Sequence, residues 1–163
     1  MKCISVLLTT YPDRFAKLIA RLSGRGYTHA SIGLEDPYKF YSFNVRGFAV
    51  ETPQKFRRQG VTESRCYRLL ISDAAYRRIE GRIQNLEAHQ TQYRYSCLGV
   101  CFCLLGLPFR QKHRYFCSQF VAELLARSGA VPLQKRPSLY LPNQFPRELE
   151  GRPEMVGVLP NPI

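Results

Sequence analysis

Cys117 opens the stretch with the most chemical promise. In Arg114-Tyr115-Phe116-Cys117-Ser118-Gln119-Phe120-Val121-Ala122-Glu123-Leu124-Leu125, a polar-aromatic entry passes into an apolar pattern. Phe120, Val121, Leu124 and Leu125 recur at spacings of one, three and four, which predicts a helix with one apolar face. Gly129 is its natural stop, with Pro132 beyond. Cys117 then falls at the first turn and shares the buried face. The unpaired N–H groups and dipole of a helix start favour negative charge, so a thiol there becomes more acidic and a better nucleophile. Cysteine is also an ordinary packing residue. Chemistry therefore requires a base for the thiol and a polar group to orient that base.

The base candidate is His29. Thr28-His29-Ala30-Ser31-Ile32-Gly33-Leu34 alternates, with Ala30, Ile32 and Leu34 on one face and His29, Ser31 and Gly33 on the other. Two very small residues beside the imidazole leave room for a packed helix or a ligand. His29 and Cys117 can pair if the Cys117 helix packs across that face. For the orienting group, Glu51 follows the short run Gly47–Val50, while Ser42 and Asn44 share one face of a neighbouring strand. A carboxylate stabilises an imidazolium better than a hydroxyl or amide does, which favours Glu51 and keeps Asn44 and Ser42 as rivals.

These residues need a scaffold. Ile4–Thr9 reads as a buried first strand, and Pro12-Asp13 starts a helix to about Leu22 with Phe15, Leu18, Ile19 and Leu22 as its stripe. Lys39–Asn44 is expected to pair antiparallel with the His29 strand, and Gly47–Glu51 is a third short strand. Pro53–Glu63 is polar and basic and reads as a loop. Ser64–Ile71 is another strand, and Ser72-Asp73 caps a helix from about Ala74 to His89 with Tyr76, Ile79, Ile83 and Leu86 inward. Cys97–Leu107 is apolar, too short to span a membrane, and is expected in the core as a short helix. The Pro-rich segment 132–163 is expected to wrap the surface with little regular structure. The whole, residues 1–163, reads as one α+β domain: a small antiparallel sheet with packed helices.

The composition narrows the class. The chain has 163 residues, 45% hydrophobic and 22% charged, enough for a core without disulfides. The six cysteines are irregularly spaced, and Cys97, Cys101 and Cys103 look like small core residues of the apolar run. With no secretory pattern at the N-terminus, reduced thiols and a cytoplasmic setting are expected. Cys97, Cys101, Cys103 and His113 lack zinc-finger spacing, His89 and His113 read as solvated, and no phosphate-binding glycine loop is present, so neither metal nor cofactor is expected. The net charge of +12 is dispersed over Arg57-Arg58, Arg77-Arg78, Arg110–Arg114 and Lys135-Arg136. It carries no nucleic-acid-binding signature and suits an anionic polymer or a membrane surface.

Three pieces together resemble a family. The strand Thr28–Leu34, the strand Gly47–Glu51 and the stretch Tyr115–Val121, in the order His, acid, Cys, are similar to the circularly permuted branch of the NlpC-type papain-like cysteine hydrolases, the YiiX/YaeF-like proteins. The likeness runs from about Thr28 to Gly129. One departure is the usual Gly-Asp entry strand, replaced here by Ile4–Thr9 and a helix. The resemblance implies a permuted papain-like fold and cleavage of an amide or ester bond, with Cys117 as nucleophile, His29 as base and Glu51 orienting it. Tyr95 and Tyr115 are then expected on the substrate wall. Relatives act on cell-wall peptides or on lipid acyl groups, so peptide, amide and lipid ester all stand as substrates. A lipid-directed acyltransferase or thioesterase on the same scaffold is one alternative. A non-catalytic, basic nucleic-acid-binding or adaptor protein is another.

Overall fold

A computed structural model describes every residue except Arg25, and every other side chain except that of Phe15. Strands β1 (Lys2–Thr10), β2 (His29–Gly33), β3 (Phe40–Asn44), β4 (Gly47–Glu51), β5 (Glu63–Ile71) and β8 (Met155–Pro160) form one antiparallel sheet in the order β4-β3-β2-β1-β5-β8. Strands β6 (Arg94–Tyr95) and β7 (Arg114–Tyr115) make a separate parallel pair. The helices are α1 (Arg14–Ser23), α2 (Pro53–Arg58), α3 (Asp73–Ala88), α4 (Cys97–Leu104), α5 (Cys117–Ser128) and α6 (Phe145–Leu149). The class is α+β. Among the described residues no helix is long and apolar enough to cross a membrane.

The period-two alternation gives the sheet two apolar faces. Ile4, Val6, Leu8, Ala30, Ile32, Phe43, Tyr67 and Leu69 point one way and pack with Ile79, Ile83 and Leu86 of α3 and with Phe120, Val121, Leu124 and Leu125 of α5. Leu7, Phe40 and Cys66 point the other way onto Phe56 of α2. Gly33 belongs to this second face because the Phe40 ring lies on it: a Cβ at Gly33 would stand 3.0 Å from the ring. Helix α5 is buried nearly all round from Cys117 to Leu125, not along one stripe, because the sheet, α3 and the segment 137–139 enclose it. It ends at Gly129, whose φ of 74° is the left-handed cap the sequence predicts.

Several expectations are corrected. Pro53–Arg58 is a helix, not a loop: the Thr52 side chain accepts from the Lys55 N–H, Pro53 sits in the first turn where its missing N–H costs nothing, and buried Phe56 anchors it. The segment 132–163 carries α6 and β8, and β8 extends the sheet beside β5. The run Cys97–Leu107 is only half core. Val100 and Cys103 are buried, but Cys97, Leu98, Cys101, Leu105 and Leu107 are exposed. In α1, Ile19 is buried while Leu18 and Leu22 are open; the Phe15 side chain lies outside what is described. His113 is half-buried, with a positive φ of 57° and its ring against Tyr93. His89 is exposed and bonded through Nδ1 to the Asn85 carbonyl.

Candidate active site

Cys117, His29 and Glu51 meet at one end of the sheet. His29 begins β2 and is held opposite Thr9 of β1. Its side chain lies on the second face, so His29 and Cys117 come together without α5 packing across the His29 face. Helix α5 packs on the Ala30–Ile32 face. Cys117, the first residue of α5, lines the same cleft as His29, and the imidazole with the Ala30 and Ser118 N–H groups favours its thiolate.

Glu51 ends β4, two strands from β2. Its carboxylate faces His29 Nε2 with both oxygens, at 3.1 and 3.0 Å, and accepts from Ser31 Oγ at 2.6 Å. The space left by Ser31 beside His29 is therefore taken by the carboxylate and its hydroxyl donor. With Nε2 committed to Glu51, the other ring nitrogen is left for the sulfur. The Tyr11 ring packs edge-to-face with the imidazole, with centroids 5.2 Å apart at 87°. All three candidate residues are buried, Glu51 to 1% exposure. The rivals are engaged elsewhere. Ser42 Oγ donates to the Ala30 carbonyl at 2.6 Å, and Asn44 Oδ1 accepts from the Arg46 N–H at 2.9 Å.

Burial disfavours charge on each group, and the neighbours outweigh it. For His29, burial pulls the pKa down, but the Glu51 carboxylate and the Cys117 sulfur push it up to about 10. For Glu51, burial works upward, and His29, Ser31 and Lys55 hold the carboxyl below its ordinary range. For Cys117, burial again works upward, and His29 with the two N–H groups brings the thiol below its ordinary value. The directions agree in favouring the charged form of each group: thiolate, imidazolium and carboxylate.

The cluster opens on a cleft of about 550 Å³ lined by Cys117, His29, Tyr11, Tyr95, Asn44 and Lys55, among others. Tyr95 stands on this wall, where burial and the nearby sulfur raise its pKa well above the usual tyrosine value. Tyr115 does not. It is a core residue packed among Phe43, Tyr93 and Phe120, and its hydroxyl accepts from Arg82 at 3.1 Å. The aromatic entry to α5 thus serves packing, and Tyr115 is withdrawn from the wall.

The start of α5 differs from the other longer helices. Asp13, Ser72 and Ser96 cap α1, α3 and α4 with side-chain oxygens, whereas Phe116 offers α5 none. The first N–H groups of α5 therefore stay available around Cys117. A carbonyl attacked by the sulfur would place its developing negative charge beside them. Two contributors escaped sequence reading. Ser31 carried a usable signal, since it sits two residues from His29 on the same strand face. Tyr11, before Pro12, carried none.

No family model matches the chain, and a search of curated proteins gives no match.

Proposed function

We propose that the protein is a thiol hydrolase that cleaves an amide or ester bond, built as the permuted papain-like enzymes it resembles are built. The observation that carries this reading is buried His29, bonded to the Glu51 carboxylate and lining one cleft with buried Cys117. Cys117 attacks the carbonyl carbon as a thiolate, and the oxyanion forms against the amides at the start of α5. The imidazolium of His29 gives its proton to the leaving amine or alcohol as the intermediate collapses to a thioester. Neutral His29 then takes a proton from water, whose hydroxide oxygen attacks the thioester. The acid leaves and the thiolate–imidazolium pair returns. Glu51, with Ser31 behind it, fixes the ring and stabilises its charged form throughout. The chemistry needs a free thiol, which fits a reducing, cytoplasmic setting.

Iodoacetamide labelling across pH tests the reading. Cys97 and Cys101 are exposed, so they label by access alone and serve as internal references. Cys117 is expected to keep its rate down to pH 6 and to lose that resistance in His29→Ala. Labelling of Cys117 that tracks Cys97 and Cys101 at every pH would sink the proposal.

A further inference from the structure

Helix α1 has a wider apolar arc than the protein covers. Ala16 and Ile19 are buried, but Leu18 and Leu22, one turn apart on the adjoining side, are 53% and 64% exposed. Its remaining face carries Arg14, Lys17 and Arg21, all exposed, and α1 itself has no acidic residue. Helix α4 repeats the theme. Leu98, Cys101 and Leu105 are exposed at spacings of three and four, one face of the helix, with Leu107 just beyond. The two helices are neighbours, because Ile19 shares a buried cluster with Val100, Cys103 and Phe116. Between β3 and β4, Val45 is also exposed and lines the Cys117 cleft together with Arg46. Helix α1 borders the same cleft through Ala16 and Ile19.

Single exposed leucines are ordinary. Aliphatics at helical spacing on two adjoining helices, bordered by cations and placed beside a cleft, are not. Protein-binding patches centre on aromatic anchors, whereas the exposed residues here are aliphatic. Exposed leucines flanked by cations on one helix suit a lipid interface, with the leucines at the acyl boundary and the long basic side chains reaching the headgroups. The net charge of +12 supplies the matching attraction to anionic lipid.

We propose that α1 and α4 form a docking face for an anionic lipid surface, which sets the mouth of the Cys117 cleft against ester or amide groups carried in that surface. The docking rests on the exposed helices alone; what it delivers rests on the hydrolase reading.

The test is co-sedimentation of the full chain with phosphatidylcholine vesicles, with and without phosphatidylserine. The wild-type protein is expected to pellet with the anionic vesicles. Leu18→Ser/Leu22→Ser, which adds no charge, should weaken binding by about tenfold or more, and Leu98→Ser/Leu105→Ser should do likewise. Cys117→Ala should bind as the wild type does. Thermal melts identify a variant that fails to fold, and the other pair then decides. No pelleting with anionic vesicles overturns the proposal, as does pelleting that neither serine pair weakens, which would mean attraction by dispersed charge alone. Iodoacetamide labelling of Cys117 without vesicles should be unchanged in both pairs. If that labelling fails while vesicle binding holds, the hydrolase reading falls and the docking face stands.

Discussion

Two cysteines occupy the same place in two helices. Cys97 is the first residue of α4 and Cys117 the first residue of α5. At Cys97 the Ser96 side chain accepts from the Gly99 N–H at 3.0 Å, which uses up a donor, and the thiol is exposed. At Cys117 no side chain caps the helix, the thiol is buried, and an imidazole backed by a carboxylate faces it. Helix position is common to both, so it cannot be what sets them apart. The difference lies in what the strands bring: β2 supplies His29, and β4 supplies Glu51 from two strands away.

The largest contrast is in the thiols themselves. Cys117→Ala should abolish turnover of a susceptible ester, while Cys97→Ala should leave it within about twofold, since exposed substitutions away from special features are close to neutral. Equal losses would erase the distinction drawn here. Next comes the base: His29→Ala should lower kcat/KM by roughly 10²–10⁴-fold, the usual range for general acid–base catalysis, with Cys117 labelling becoming steeply pH-dependent. Glu51→Gln keeps the shape and removes the charge. It should cost at least about tenfold in kcat and shift the alkaline limb of the pH–rate profile to lower pH, because the imidazolium loses the carboxylate that raises its pKa.

Glu51 also predicts a stability effect of known sign. Its folded pKa lies below the ordinary 4.5, so the stabilisation is present above that value and is lost as pH falls through the folded pKa. The melting temperature of the wild type should therefore drop below pH 4.5, and that of Glu51→Gln should drop less steeply, as thermal melts across acid pH will show. The smallest effect belongs to the capped helix. Ser96→Ala should cost about 1 kcal/mol of stability, read by urea unfolding, without altering Cys117 labelling.

Much of the scaffold is legible in the residues. Alternation marks the His29 strand, helical spacing and Gly129 mark α5, and the preference of an imidazolium for a carboxylate selects Glu51 over Asn44 and Ser42. What is not legible is which side of an apolar element meets water. Cys97–Leu107 has no polar face to declare its orientation, so its exposed leucines cannot be told from its buried valine. In α1 the polar face is plain, but the apolar arc is wide, and Leu18, Leu22 and Ile19 read alike within it. Tyr115 illustrates a different limit: a tyrosine suits a wall or a core equally until its hydroxyl finds a partner, here Arg82. In α2, a polar and basic composition reads as a loop until the Thr52 cap and buried Phe56 show a helix start.

The strand order carries a kinetic consequence. Strands β2, β3 and β4 follow one another in chain and in space, so His29, Ser31 and Glu51 can be assembled by two local hairpins at low loop-closure cost. Cys117 arrives only after the chain has passed through β5, α3 and α4. Contacts of such long sequence separation are slow to form. During refolding the imidazole and carboxylate should pair first and wait for their sulfur, so rapid alkylation of Cys117 at pH 6 would report the docking of α5, a chemical clock for the completion of the site.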